Sequence, residues 1–300
     1  MIRLGLCCTF SNEPIRFRTI TARYASCMTS VERYSRIAEL CIHNAQSLLS
    51  AVEYCAYSGI GAFRVNSRIL PLKTHPELGY RTDRLPDAAH IRNLFELCGK
   101  RARDAAIRFS FHPDQFVLLS SHKRDVTRRS VLELEYQAEV STWIGADAIN
   151  IHGGGAYGNK ASALHRLEQA LTGLGSEVRE RLTLENDDRT YTPADLLPFC
   201  EANAVPFVYD VHHHRCLKDG LSIESVTERA LKTWNREPLF HVSSPKTGWD
   251  GPNPCPHHDY VDINDIPHCW KGLDITVDIE AKAKERAVKR LLKQIHETWR

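Results

Sequence analysis

Histidines, aspartates and glutamates recur at the ends of short apolar runs. Arg108-Phe109-Ser110-Phe111 is followed by His112, and Ala148-Ile149-Asn150-Ile151 by His152. Leu182-Thr183-Leu184 ends on Glu185, and Phe207-Val208-Tyr209 ends on Asp210, with His212, His213 and His214 just beyond. Leu239-Phe240 leads to His241, and the run from Ile275 through Asp278 leads to Glu280. A single such residue is ordinarily structural or simply exposed. Six consecutive runs that each end this way are a different matter. Carboxylates packed together raise one another's pKa and repel unless cations neutralise them. Mixed imidazole and carboxylate donors suit Mn²⁺, Zn²⁺ or Fe²⁺ rather than Ca²⁺. About three to six donors saturate one catalytic ion, so a larger set implies at least two. A multi-metal site suits phosphodiester hydrolysis, where one ion activates water and another stabilises the leaving oxygen. Sugar isomerisation on a related scaffold needs fewer histidines and stands as the alternative.

These residues can meet only if the strand ends converge. Short β-rich runs are expected at 3–8, 62–66, 107–112, 148–152, 182–185, 207–212, 240–243 and 275–280. Helical patterns at 34–57, 88–104, 127–143, 164–171, 193–203 and 223–234 separate them, and 284–300 reads as a closing helix. Strands alternating with helices imply parallel crossovers, and eight strands close a barrel. The expected fold is a TIM-type (β/α)8 barrel related to the xylose-isomerase-like barrels, with residues 1–300 as one domain. An open doubly wound sheet is the other option, weakened because no G-x-G-x-x-G follows the first run. Long loops at 70–76 and 245–267 follow the second and seventh strands. Barrel enzymes build their sites from loops at that end. The Gly153-Gly154-Gly155 run fits a phosphate cradle and a tight packing turn equally well.

Bulk properties exclude little. Lys plus Arg (39) nearly balance Asp plus Glu (37) in 300 residues, so a nucleic-acid binder would have to gather its positive charge on one face. Hydrophobic (42%) and charged (25%) fractions are ordinary for a globular chain. The ten cysteines include no C-x-x-C pair, and Cys41, Cys55, Cys98 and Cys200 fall in apolar helical patterns. Reduced, mostly buried thiols are expected. Met1-Ile2-Arg3-Leu4-Gly5 passes straight into a strand without a signal-peptide pattern, and no run is long enough to span a bilayer. A cytoplasmic monomer without a nucleotide cofactor is expected.

A set of ordered strings carries a resemblance: Arg3-Leu4-Gly5, Thr74-His75-Pro76, Ser110-Phe111-His112-Pro113-Asp114-Gln115-Phe116 and His152-Gly153-Gly154-Gly155-Ala156-Tyr157-Gly158. It continues with Leu184-Glu185-Asn186-Asp187-Asp188, Asp210-Val211-His212-His213, His257-His258-Asp259-Tyr260 and Glu280-Ala281-Lys282-Ala283-Lys284-Glu285. Over nearly its whole length the chain resembles the UV damage endonuclease family. The resemblance implies an endonuclease that nicks damaged duplex DNA on the 5′ side of UV photoproducts, with other distorting lesions or abasic sites as further substrates. It implies two or three divalent ions, manganese first, with zinc, cobalt or magnesium as alternatives. By the family pattern the ligands are His75, His112, His152, Glu185, Asp210, His213, His241, His257 and Glu280. His75 and His257 enter this set only through the resemblance.

Glu185, His241 and Lys282 are expected to serve catalysis, Lys282 because it closely follows Glu280. Gln115 and Phe116 match a pair that family members push into the duplex, and Arg68, Tyr157 and Lys160 are expected on the DNA side. A photoproduct weakens stacking, so flipping there costs less and a flat side chain can fill the gap. Phe116 packed under the barrel rim is the competing reading. Three positions depart from the family: Leu239 where some members carry a carboxylated lysine close to the metals, Phe116 where relatives have Tyr, and Leu6 in place of a Tyr.

Overall fold

Alternation along the strands gives one sheet two different faces. Successive strand side chains point to opposite sides. Phe63, Phe109, Phe111, Ile149, Leu184, Phe240 and Val277 join the large core shared with the surrounding helices. Positions out of phase with these face the barrel interior and are mostly small or polar. Ala148, Val208 and Leu239 form a separate small cluster, while Arg64, Asn150, Glu185, Asp210, His241 and Asp278 are all buried. An eight-stranded barrel is just wide enough for such side chains to fill it.

The computed structural model describes residues 2–299; Met1 and Arg300, the outer ends of the expected N-terminal run and closing helix, lie outside the described residues. Eight strands, β1 (Arg3–Cys7), β2 (Ala62–Val65), β3 (Arg108–Phe111), β4 (Ala148–His152), β5 (Leu182–Glu185), β6 (Phe207–Asp210), β7 (Leu239–Val242) and β8 (Thr276–Ile279), close into one barrel. All neighbours are parallel, including the closing β1–β8 pair. The open-sheet alternative is therefore wrong. Every strand is buried on nearly all positions, as a helix-covered parallel sheet requires.

Helix ends follow local chemistry. The helix Ser30–Ser58 starts from a Thr29/Glu32 capping box and stops at Gly59, which takes a left-handed φ of 71°. One expected boundary moves in a way that matters. The run 207–212 does not remain a strand to its end: the chain turns helical over Val211–Cys216. Asp210 causes this by capping, since its Oδ1 accepts from the His213 amide at 2.8 Å. The three histidines therefore fan out around a helix instead of alternating along a strand. No disulfide joins the ten cysteines, of which Cys7, Cys41, Cys55, Cys98 and Cys200 are buried and Cys27 is exposed. Among the described residues no helix is long and apolar enough to cross a membrane.

Candidate metal centre

The carboxyl ends of β3 to β8 bring the expected donors together around Glu185. This residue ends β5 and is fully buried. Its Oε2 lies 3.0 Å from His112 Nε2, just beyond β3, and its Oε1 lies 3.0 Å from His241 Nδ1 on β7. His213 Nδ1, on the new helix, is 3.5 Å from Oε1 of the same carboxylate and 3.6 Å from Asp210 Oδ2. Just beyond the neighbouring β8, Glu280 Oε1 lies 3.5 Å from His241 Nδ1. The His152 ring stands 5.1 Å from that of His112 and 5.9 Å from that of His213.

Two donor groups result, His112–His152–Glu185 and Glu185–Asp210–His241, each with ligand atoms within 4.8 Å of one another. Glu185 belongs to both. Asp210 Oδ2 and His152 Nδ1 are buried without a hydrogen-bond partner, a costly condition that a cation would relieve. The donor chemistry, imidazole with carboxylate, fits divalent transition-metal ions.

His257 also reaches the cluster, by folding of the long β7–β8 loop. An antiparallel bridge pairs Pro245 with His257, and the Lys246 amide donates to the Pro256 carbonyl at 2.7 Å. This puts His257 Nδ1 3.6 Å from Glu280 Oε2, with its ring 6.2 Å from that of His213. Two other histidines serve packing. His212 Nε2 pairs with the Cys255 carbonyl at 3.0 Å, and His214 lies between Tyr209 Oη and Asp219.

His75 Nδ1 accepts from the Glu77 and Leu78 amides at 3.2 Å. It lines a cavity of about 710 Å³ together with Arg68, Asp114 and Phe116, between the loops after β2 and β3.

Electrostatics push the members of the cluster in different directions. Burial alone would raise the Glu185 pKa, but His241, His152 and the bonds from His112 and His241 hold it well below the usual carboxylate range. Burial would likewise raise Glu280, and Arg64 with His241 reverses it. For His213 and His241, burial favours the neutral ring, yet the surrounding carboxylates raise both to about 9. His152 is pushed down, chiefly by burial.

Three residues that sequence reasoning did not select complete the interior. Asn150 Nδ2 donates to Glu185 Oε2. Asn186 ties Asp210 down on both backbone groups, at 3.0 Å to its amide and 2.8 Å to its carbonyl. Arg64, on β2, donates from Nη1 to Glu280 Oε1 at 2.6 Å. Each is a polar residue at an inward position of an otherwise apolar strand or just past its end, which was the available signal.

Toward solvent, Phe116 is 73% exposed, so the reading that packed it under the rim is wrong. Gln115 is exposed beside it, and Arg68 is exposed and pairs with Asp114 at 3.5 Å. Tyr157 stacks edge-on with His122, and Lys160 pairs with Asp195 at 2.7 Å. Lys282 is exposed, its amide donating to the His258 carbonyl. Leu6 and Leu239 are buried, Leu239 in the apolar layer two residues below His241. The glycine run behaves as a packing turn. A Cβ on Gly153 would lie 2.8 Å from Tyr191, and Gly154 has a φ of +87°.

The model of the UV-endonuclease UvdE family matches residues 2–299. The chain belongs to that family. It is 35% identical to the UV DNA damage endonuclease of Bacillus velezensis, over 96% of this chain and 91% of that protein. With the enzyme of the same description from Bacillus pumilus the identity is 34%, over 84% and 80% of the two chains. The crystal structure of SacUVDE superposes with a TM-score of 0.88 at 25% identity, covering 99% of each chain. Endonuclease IV from Thermus thermophilus (TM-score 0.63, 14% identity, 98% of each chain) shares the fold. So does a D-psicose 3-epimerase from Clostridium cellulolyticum (TM-score 0.58, 11% identity, 99% and 98%). Those two likenesses concern the barrel alone.

Proposed function

We propose that this protein is a metal-dependent hydrolase that nicks duplex DNA on the 5′ side of UV photoproducts, with the whole activity carried by one barrel domain. Membership of the UV-endonuclease family separates this reading from sugar isomerisation on the same fold. The observation that carries the metal dependence is the buried Glu185, shared by two donor groups.

In this reading His112, His152, Glu185, Asp210, His213, His241, His257 and Glu280 hold two or three divalent ions, manganese first. His75, which lines a cavity with Arg68 and Phe116, is the further ligand that the family pattern alone supports. Ions held there supply Lewis-acid activation of water and neutralise charge on the phosphate. The chain's own residues do the positioning. Glu185 and Glu280 stay ionised in a buried site, which gives a cation its counter-charge. Asn150 and Asn186 fix Glu185 and Asp210, so little reorganisation is left for the reaction. Lys282, on the rim beside His258, is available to a backbone phosphate.

Recognition falls to the loop after β3. An exposed aromatic next to an exposed amide is suited to enter a duplex whose stacking a lesion has weakened. Gln115 and Phe116 hold that place, with Arg68, Tyr157 and Lys160 along the backbone.

The test uses an end-labelled duplex carrying one cyclobutane pyrimidine dimer, with Mn²⁺ present. The expected result is one incision in the damaged strand, on the 5′ side of the dimer. Incision on the 3′ side only, or equal incision of the undamaged duplex, would contradict the assignment.

A further inference from the structure

The barrel interior holds one more carboxylate, outside the donor set. Asp278, in the middle of β8, is fully buried, and neither of its oxygens has a hydrogen-bond partner. An unpaired carboxylate in such a place is strongly unfavourable, so its neighbours should show what it is for.

Three groups surround it. The β7–β8 register sets Asp278 directly beside His241, whose Nε2 lies 3.7 Å from Asp278 Oδ2 and is itself unpartnered. Arg64 Nε, also unpartnered, is 3.9 Å from the same oxygen, while the other end of the guanidinium is engaged with Glu280. On the opposite flank β1 presents Gly5, the register partner of Asp278. A Cβ at Gly5 would run into Asp278 Oδ1. The missing side chain on β1 therefore makes the room that this carboxylate occupies.

The two faces of the His241 ring are thus unequal. Nδ1 faces Glu185 Oε1 at 3.0 Å and Glu280 Oε1 at 3.5 Å, within the donor cluster. Nε2 faces Asp278 on the neighbouring strand, away from that cluster. A neutral imidazole carries one proton, and the hydrogen bond made by one nitrogen decides which nitrogen is left for a metal.

We propose that Asp278, steadied by Arg64, is the positioning residue for His241: it accepts the Nε2–H and thereby leaves Nδ1 as the metal-facing nitrogen. A polar contact of 3.7 Å closes by a small side-chain shift or through one water, as contacts beyond about 3.5 Å commonly do. The inference rests on the metal reading of the cluster. It adds a role for a residue that neither touches the ions nor lies on the DNA side.

The test uses the full chain and zinc alone as the probe. Zinc affinity is measured by competition with a chromophoric chelator for the native protein and for Asp278→Asn, an isosteric change that cannot supply the anionic acceptor. The expected loss is about 10–100-fold, the usual effect of removing a partner from a ligating histidine. Near-UV circular dichroism and thermal midpoint report whether the variant is folded. Independently of any variant, ¹⁵N shifts of the His241 ring in the zinc-loaded native protein are expected to show a protonated Nε2 and a metal-bound Nδ1. A purely structural role for Asp278 would alter the midpoint and leave zinc affinity unchanged. A folded Asp278→Asn that binds zinc within twofold of the native protein overturns the proposal, as does a His241 ring protonated at Nδ1 and bound through Nε2. Should the variant not fold, the ring measurement decides alone. Absence of zinc binding by the native protein would overturn the metal reading itself, and this inference with it.

Discussion

Metal uptake should be strongly coupled to proton release, and the structure sets the scale. His213 and His241 are each held at about 9 by the carboxylates around them. An imidazole nitrogen must give up its proton before it can ligate. At pH 7 each ring sits about two pH units below its own pKa, so deprotonation costs roughly 3 kcal/mol per ring. The two rings lean on the same Glu185, so the costs are not additive. Between one and two protons should therefore leave when the cluster loads. Apparent affinity should rise about 10–100-fold for each pH unit between pH 6.5 and 8.

Folding should follow the opposite trend in the metal-free protein. Both histidines have pKa values raised above the unfolded value of about 6.5. Their stabilisation is complete below that value and is lost as pH rises through about 9. The metal-free thermal midpoint should then fall over that window, while the metal-loaded midpoint should not. Isothermal titration calorimetry in two buffers of different ionisation enthalpy counts the protons, and differential scanning calorimetry follows the midpoints. Affinity that is flat from pH 6.5 to 8, with no buffer dependence of the heat, would refute the electrostatic picture.

Other consequences are more local. Phe116→Ala should change stability by less than about 0.5 kcal/mol, because the ring is 73% exposed, while weakening binding to a dimer-containing duplex by about 1–3 kcal/mol. Fluorescence anisotropy against damaged and intact duplexes checks this, and equal weakening on both would remove Phe116 from lesion recognition. Arg64→Met should cost about 1–3 kcal/mol in urea unfolding, since it removes the guanidinium that donates to the half-buried Glu280, and excess Mn²⁺ should restore part of the loss. Lys160→Ala should cost at most about 1 kcal/mol, its pair with Asp195 being half-exposed. If Lys160 contacts a phosphate, the same change should reduce the slope of log affinity against log salt by about 0.9.

The sequence displayed the part of the site that obeys a simple rule. Strands with both faces buried stand out as apolar runs, and a histidine or carboxylate at their carboxyl ends is visible because it breaks the run. His112, His152, Glu185, Asp210, His241 and Glu280 were legible for that reason. Asp278 and Arg64 were not, although they break runs too. Both sit inside a strand, and only the assembled barrel sets Asp278 beside His241 and Arg64 beside Glu280. His213 required the helix that Asp210 initiates, a capping effect that strand periodicity does not foretell. His257 depends on a loop folding back through the Pro245 bridge, for which no local pattern exists. Family likeness supplied His257, which the structure sets 3.6 Å from Glu280. It supplied His75 as well, which the structure sets beside Arg68 and Phe116.

The most direct test of the central claim is nicking of supercoiled plasmid, irradiated or not, with Mn²⁺ or with EDTA, by the native protein and by Glu185→Gln. The account predicts relaxation of the irradiated plasmid alone, only with metal, and its loss in the variant, which keeps the side-chain shape but removes the charge shared by both donor groups. Nicking that persists in EDTA, or a folded Glu185→Gln that nicks like the native protein, would contradict it.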